Sequence, residues 1–239
     1  MAEWLVGLKG DKAELEYLCK LCKPSSQSCT VMEQHGTYCL KSALFDSSID
    51  AHEVLETESR ILDVLNGIAR LVFSSSQGAE VTCILGIEND EKPPTQYIML
   101  IGSPSEERFG IPTILVGQEL PEEASIPGSK WLEIAEKDTQ VDKALALYGG
   151  LEPNWRNLYI VLEAIEDDIG GEKALIKKDW APKGNIKLFK QTADNFRVLG
   201  REARHSTVSF EPPSKPMRLK EAQSLIRNIL QKWLSSKCK

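Results

Sequence analysis

The sequence predicts an α+β fold: an N-terminal mixed or antiparallel sheet domain with helices, followed by an all-α C-terminal helical domain. Three observations predict it. Strand-like and helix-like hydrophobic periods alternate over residues 1–118, whereas every periodic segment of 131–239 has helical spacing. Between them, residues 119–130 (ELPEEASIPGSK) hold two prolines, a glycine and three glutamates with little periodicity, the composition of a linker. Charge divides at the same place. Residues 1–129 carry 9 Lys and Arg against 20 Asp and Glu, while residues 130–239 carry 20 against 15. The first module is therefore acidic and the second basic, and from residue 171 onward cations outnumber anions 16 to 6.

Residues 4–9 read as a strand, and Asp11 is a good N-cap for a helix over 12–22 that Pro24 and the following SSQS end. Residues 29–34 and 37–45 form a hairpin about His35-Gly36. An amphipathic helix follows, with Val54, Leu55, Ile61, Leu62, Leu65, Ile68, Ala69 and Val72 at helical spacing, and with Asp50 and Glu53 at capping-box spacing. Residues 81–87 and 96–101 make a second hairpin joined by NDEKPPT, and 111–116 adds an edge strand.

Beyond the linker, Asp138 caps a helix that runs to Tyr148 and stops at Gly149-Gly150. Pro153, placed in a first turn, opens a helix with Trp155, Leu158, Tyr159, Leu162 and Ile165 on one face, ended by Gly170-Gly171. A short helix over 172–178 leads into the turn DWAPKG. Residues 185–199 carry Leu188, Phe189, Ala193 and Phe196 at helical spacing before Gly200, and a last helix over 219–234 has the stripe Ala222, Leu225, Ile226, Ile229, Leu230 and Trp233.

The chain of 239 residues, 41% apolar and 27% charged, is long enough to bury a substantial core and has the composition of a soluble globular protein. No run approaches the roughly 18 apolar residues of a membrane helix. The apolar run 4–8 follows the acidic Glu3 and lacks the length of a secretory signal. A cytoplasmic location without membrane contact is the expectation.

Four of six cysteines fall early, and Cys19-x-x-Cys22 with Cys29, His35 and Cys39 could in principle hold zinc. Leu15, Leu18, Cys19 and Cys22 also form an apolar helical stripe, which cysteine fills well as a small hydrophobe. The zinc loop's usual glycine-rich knuckle is missing, so the cysteines are read as packing residues and neither a metal nor a disulfide framework is expected. No P-loop, G-x-G-x-x-G or G-x-S-x-G motif occurs, and no cofactor is expected.

The candidate anion-binding residues are Lys190, Arg197, Arg201 and Arg204. If the helix runs on through Gly200, the three arginines fall at i, i+4, i+7 with Lys190 two turns earlier, a stripe able to clamp phosphates. If Gly200 breaks the helix, the stripe dissolves. Under an alternative reading Arg201 and His205 are catalytic, meeting one scissile phosphate with His205 as acid and base. The acidic run Glu163, Glu166, Asp167 and Asp168 late in a helix is read as an intramolecular salt-bridge partner of Arg197 or Arg201, in preference to a magnesium site. Trp155, Tyr159 and Trp233 sit at core-periodic positions and are read as core, not as stacking platforms for bases.

An acidic first helix followed by a later Arg…His motif resembles the HEPN class of helical domains, many of which cut RNA in toxin and anti-phage systems. That class places four to six residues between Arg and His with a polar residue after the Arg, whereas here the spacings are Arg201-x3-His205 and Arg197-x7-His205. The resemblance covers about 150–235 and implies an RNase in which Arg201 and His205 act on the phosphodiester. The string NWRNLYIVLEAIEDDIGG, FKQTADNF, GREARH, PPSKPM and EAQSLIRNILQKWL is also similar to C-terminal regions of bacterial proteins without an assigned function, which implies a recurring module. Three functions are consistent with these readings: a binding or adaptor protein whose basic helical domain contacts an anionic partner such as RNA or an acidic protein, a HEPN-like RNase, and a structural subunit whose charge-split halves attract each other in an oligomer.

Overall fold

The sheet is built outward from β1 (Glu3–Lys9), whose burial runs unbroken from Trp4 to Leu8. A computed structural model describes residues 3–23, 29–34, 36–73, 77–87, 95–97, 126–150, 153–206 and 211–238. β2 (Cys29–Gln34) and β3 (Thr37–Ser42) form the expected hairpin, register Gln34 opposite Thr37, with Gly36 supplying the positive φ of 79° that the tight turn needs. β4 (Glu80–Ile87) pairs with the other edge of β1, and the short β5 (Thr95–Tyr97) pairs with β4. The order is β2-β3-β1-β4-β5, antiparallel throughout. The predicted edge strand 111–116, the end of the second hairpin and residues 119–125 of the linker lie outside the described residues.

α1 (Lys12–Leu21) starts where Asp11 accepts the N–H groups of Ala13 and Glu14 at 2.9 and 3.3 Å. The strand expected over 37–45 stops at Ser42, whose hydroxyl accepts from Leu44 N and turns Ala43–Phe45 into a 3-10 turn. α2 (Ala51–Val72) is capped by Asp50, while Glu53 reaches back one residue further than in the usual box and accepts from Ile49 N at 2.8 Å. Trp4, Val6 and Leu8 alternate along β1 and join Leu15, Leu18, Val54, Leu65 and Ile68 of α1 and α2 in one apolar cluster.

From residue 126 on, the elements among the described residues are helical, as the periodicity predicts: α3 (Ser129–Ala135), α4 (Thr139–Gly149), α5 (Trp155–Ile169), α6 (Glu172–Lys177), α7 (Lys183–Ala193), α8 (Phe196–Leu199) and α9 (Leu219–Lys237). Pro153 precedes the first turn of α5 instead of occupying it, because Asn154 is the cap and accepts from Asn157 N at 3.0 Å. α3 begins inside the stretch read as linker. The helix expected over 185–199 is two helices, interrupted at Asp194-Asn195. Buried Asn195 accepts the Val198 N–H with its side chain, so it starts a new helix instead of continuing the old one.

Composition divides the chain near 119–130, but the apolar cluster runs through both parts and includes Leu145, Leu158, Phe189, Ile226 and Trp233 with the sheet residues. α2 and α4 cross with their backbones close together at Gly67 and Gly149. Beside that crossing the buried Arg70 donates to the carbonyls of Tyr148 and Gly150, satisfying the end of α4, and to that of Gln77 at 3.4 Å. Arg227 and Gln231 of α9 both donate to Leu71 O at 3.0 Å and do the same for α2. Among the described residues no helix is long and apolar enough to cross a membrane.

Candidate functional site

The four predicted anion contacts do not share a helix face. α7 ends at Ala193, α8 ends at Leu199, and Gly200 takes a positive φ of 57°, so Arg197 and Arg201 sit in separate short turns and Arg204 lies beyond both. The i, i+4, i+7 stripe is therefore absent. The same break removes the helical i, i+4 relation between Arg201 and His205.

Two of the four are instead committed to the acidic run of α5. Lys190, on the last turn of α7, lies 2.8 Å from Glu166 Oε1 and 2.8 Å from Glu172 Oε2. Desolvation opposes its charge, but the hydrogen bonds it donates to these two carboxylates prevail and raise its pKa above the usual lysine value. Arg204 donates to Glu163 Oε1 at 2.7 Å, and its guanidinium lies 4.3 Å from the centre of the Tyr159 ring. Its backbone N–H donates to Ala193 O at 2.9 Å, which holds the segment after α8 against the end of α7. His205 faces Asp194 at 3.7 Å and contacts Arg204 at 3.3 Å. The last member of the acidic run, Asp168, accepts from Trp233 Nε1 and from Lys237, both at 2.8 Å. The salt-bridge reading of 163–168 thus holds in kind, with Lys190, Arg204 and Lys237 as partners in place of Arg197 or Arg201.

Arg197 and Arg201 are exposed and make no ion pair among the described residues. Neither do Lys215 and Lys220, which line a cavity of about 690 Å³ between the N-terminal ends of α7 and α9. Leu188, Met217 and Leu225 supply its apolar wall. The segment carrying Lys215 is anchored by Met217 N, which donates to Thr192 Oγ1 at 3.1 Å. Among the described residues the one carboxylate lining it, Glu221, accepts from Arg218 N at 2.8 Å and so caps α9. Lys183 and Lys187 flank the lining residues Pro182, Asn185 and Leu188 in sequence. This lysine-edged cavity is not signalled by spacing, because the 211–218 segment brings Lys215 to α7 only through the fold.

The three aromatic side chains read as core go to the core. Trp155, Tyr159 and Trp233 are buried, and the rings of Trp155 and Tyr159 both stack on Phe189 with centroids 5.9 Å apart. Of the cysteines, Cys22 meets Cys29 and not Cys19, with their sulfurs 3.5 Å apart in hydrogen-bond contact.

A second perturbed group lies in α2. Glu58 is 1% exposed, its Oε1 has no hydrogen-bond partner among the described residues, and burial lifts its pKa to about 8. A signal for it exists in the sequence: Glu58 falls four residues after Val54 and four before Leu62, in the middle of the apolar stripe. Comparison with known proteins returns no matching family model, no matching curated protein and no matching solved structure.

Proposed function

We propose that this is a binding or adaptor protein whose basic helical half contacts an anionic partner. One observation carries the reading. The strongest ion pairs of that half neutralise Lys190, Arg204 and Lys237, whereas Arg197, Arg201, Lys215 and Lys220 make no ion pair among the described residues. Glu163, Glu166 and Asp168 are engaged by other cations, so these four keep their positive charge for an outside partner, which favours one with regularly spaced negative charge. An RNA phosphate backbone has that property, and an acidic protein segment has it in part. Contact through lysines and arginines of this kind reads charge and not base edges, so low sequence specificity is expected.

The HEPN-like alternative draws on Arg201 and His205. In this fold His205 contacts Asp194 and Arg204 and has lost its helical i, i+4 relation to Arg201, and the binding reading is preferred for that reason.

The test is a salt titration of single-stranded RNA binding by fluorescence anisotropy. Lys215→Ala with Lys220→Ala should weaken binding and flatten the log–log salt slope by about two units, and Arg197→Ala with Arg201→Ala should do the same. Lack of binding by the wild type at low salt rejects RNA. Cleavage of the RNA by the wild type that is lost in His205→Ala would favour the enzyme over the adaptor.

A further inference from the structure

The C-x-x-C spacing draws attention to Cys19 and Cys22, but the fold pairs Cys22 with Cys29. Cys22 follows the last residue of α1 and Cys29 opens β2, so each sits at the end of an element and not inside one. A backbone bond from Val31 N to Cys22 O at 3.1 Å fixes the two ends side by side. The thiols lie 3.5 Å apart, and both are buried. A disulfide needs about 2.05 Å, so the sulfurs must close by about 1.5 Å, a shift that two element ends can absorb.

Among the described residues, the cavity beside the pair reaches one of its two sulfurs. Cys29, and not Cys22, lines a second cavity of about 720 Å³, walled by apolar residues such as Leu44 and Leu132 and edged by charges of both signs, Arg60 and Lys137 with Glu56, Glu136 and Asp142. That volume lies in the range that holds small organic molecules. A reagent in this cavity meets Cys29 first and Cys22 only through it.

We propose that Cys22 and Cys29 form a reversible thiol–disulfide site, oxidised by a low-mass organic disulfide that enters the cavity at Cys29. Cys29, as thiolate, attacks one sulfur of the reagent, whose other half leaves as a thiolate and takes up the proton that Cys29 released. Cys22 then attacks Cys29 Sγ, the protein disulfide forms, and the second half of the reagent leaves as a thiol with the proton from Cys22. Two protein thiols and one organic disulfide become one protein disulfide and two organic thiols. The contact with Cys29, and then burial, raise the Cys22 pKa well above the ordinary thiol value. Bonding Cys29 to the reagent removes the first of these causes and so eases deprotonation of Cys22 for its attack on Cys29 Sγ. The closed loop spans 22–29 and restricts the unfolded chain more than the folded one.

The experiment uses the full chain with hydroxyethyl disulfide, well below the melting temperature, in a Cys19→Ser, Cys238→Ser background that removes the two cysteines not classed as buried. Intact mass should fall by two hydrogen atoms, two of the remaining thiols should resist alkylation after denaturation, and reductant should reverse both. The melting temperature should rise by about 5 °C on oxidation. Adding Cys22→Ser should trap one hydroxyethylthio adduct on Cys29, and adding Cys29→Ser should abolish adduct and mass loss together. If the background does not fold, fragmentation of peptide 17–33 from the oxidised wild type decides the same point. Retention of all thiols, or the same mass loss after Cys29→Ser, would overturn the proposal.

Discussion

Gly67 of α2 and Gly149 of α4 face each other where the two helices cross. A Cβ on Gly149 would collide with the Asp63 carbonyl oxygen and the Gly67 amide nitrogen, and a Cβ on Gly67 would collide with the Leu145 carbonyl oxygen. All three obstacles are backbone atoms, which a rotamer change cannot move. Gly67→Ala and Gly149→Ala should each destabilise the protein by about 2–4 kcal/mol in urea unfolding, at or above the usual cost of overpacking. The double variant should cost less than the two singles added, since one helix displacement relieves both clashes. Additive losses would mean that the two glycines act at separate contacts.

Trp233 is fully buried, and its Nε1 donates to Asp168. Trp233→Ala should cost roughly 3–5 kcal/mol through the cavity left behind, and the orphaned Asp168 acceptor adds to it. Trp233→Phe should recover most of the packing but not the hydrogen bond. A denaturant titration showing a loss below about 1 kcal/mol for the alanine variant would mean that α9 is not held by this residue.

Glu58 sets a pH dependence of definite sign. Its folded pKa of about 8 stands above the unfolded carboxyl value, so the folded state holds a proton that the unfolded state releases. Stability is therefore highest below the unfolded carboxyl pKa, as far as this group is concerned, and falls as pH rises toward 8. Glu58→Gln should stabilise the protein by about 2–4 kcal/mol at pH 8 and by little at pH 4.5. Melting curves of both proteins across that window check it, and parallel curves would show that Glu58 ionises without penalty.

Lys190 should matter for stability and not for anion binding. Removing it in Lys190→Ala leaves Glu166, 8% exposed, beside Glu172 without its cation, at an expected cost of about 2–3 kcal/mol. Lys190→Met combined with Glu166→Gln should recover part of that loss. The RNA salt slope should stay unchanged in Lys190→Ala. A slope flattened by about one unit would instead place Lys190 on the binding surface.

The helices that the chain encodes by spacing are those found, because an apolar stripe such as Ala222, Ile226, Ile229 and Trp233 repeats at the helical period whatever it packs against. Caps such as Asp11, Asp50 and Asp138 are equally local: the side chain bonds N–H groups two or three residues on. The early strands were legible for the same reason, with turn residues setting off Trp4, Val6 and Leu8. Where a local competitor exists the outcome was less legible. Asp194-Asn195 can continue a helix or cap the next one, and the buried Asn195 caps.

The candidate site was legible only as a list of charges. Sequence alone determined that 16 cations and 6 anions follow residue 170, that α5 ends in an acidic run, and that the last helix has one apolar face. Which cation meets which carboxylate depends on the packing of α5 against α6, α7 and α9, contacts between segments 18 to 69 residues apart. Tertiary structure therefore decided that Lys190 and Arg204 are consumed internally while Lys215 and Lys220 stay open, and that Cys22 meets Cys29 instead of Cys19. The physical reason is range: helix period and capping act within a few residues, whereas charge pairing and thiol contact follow distance in space, which only the packed chain sets.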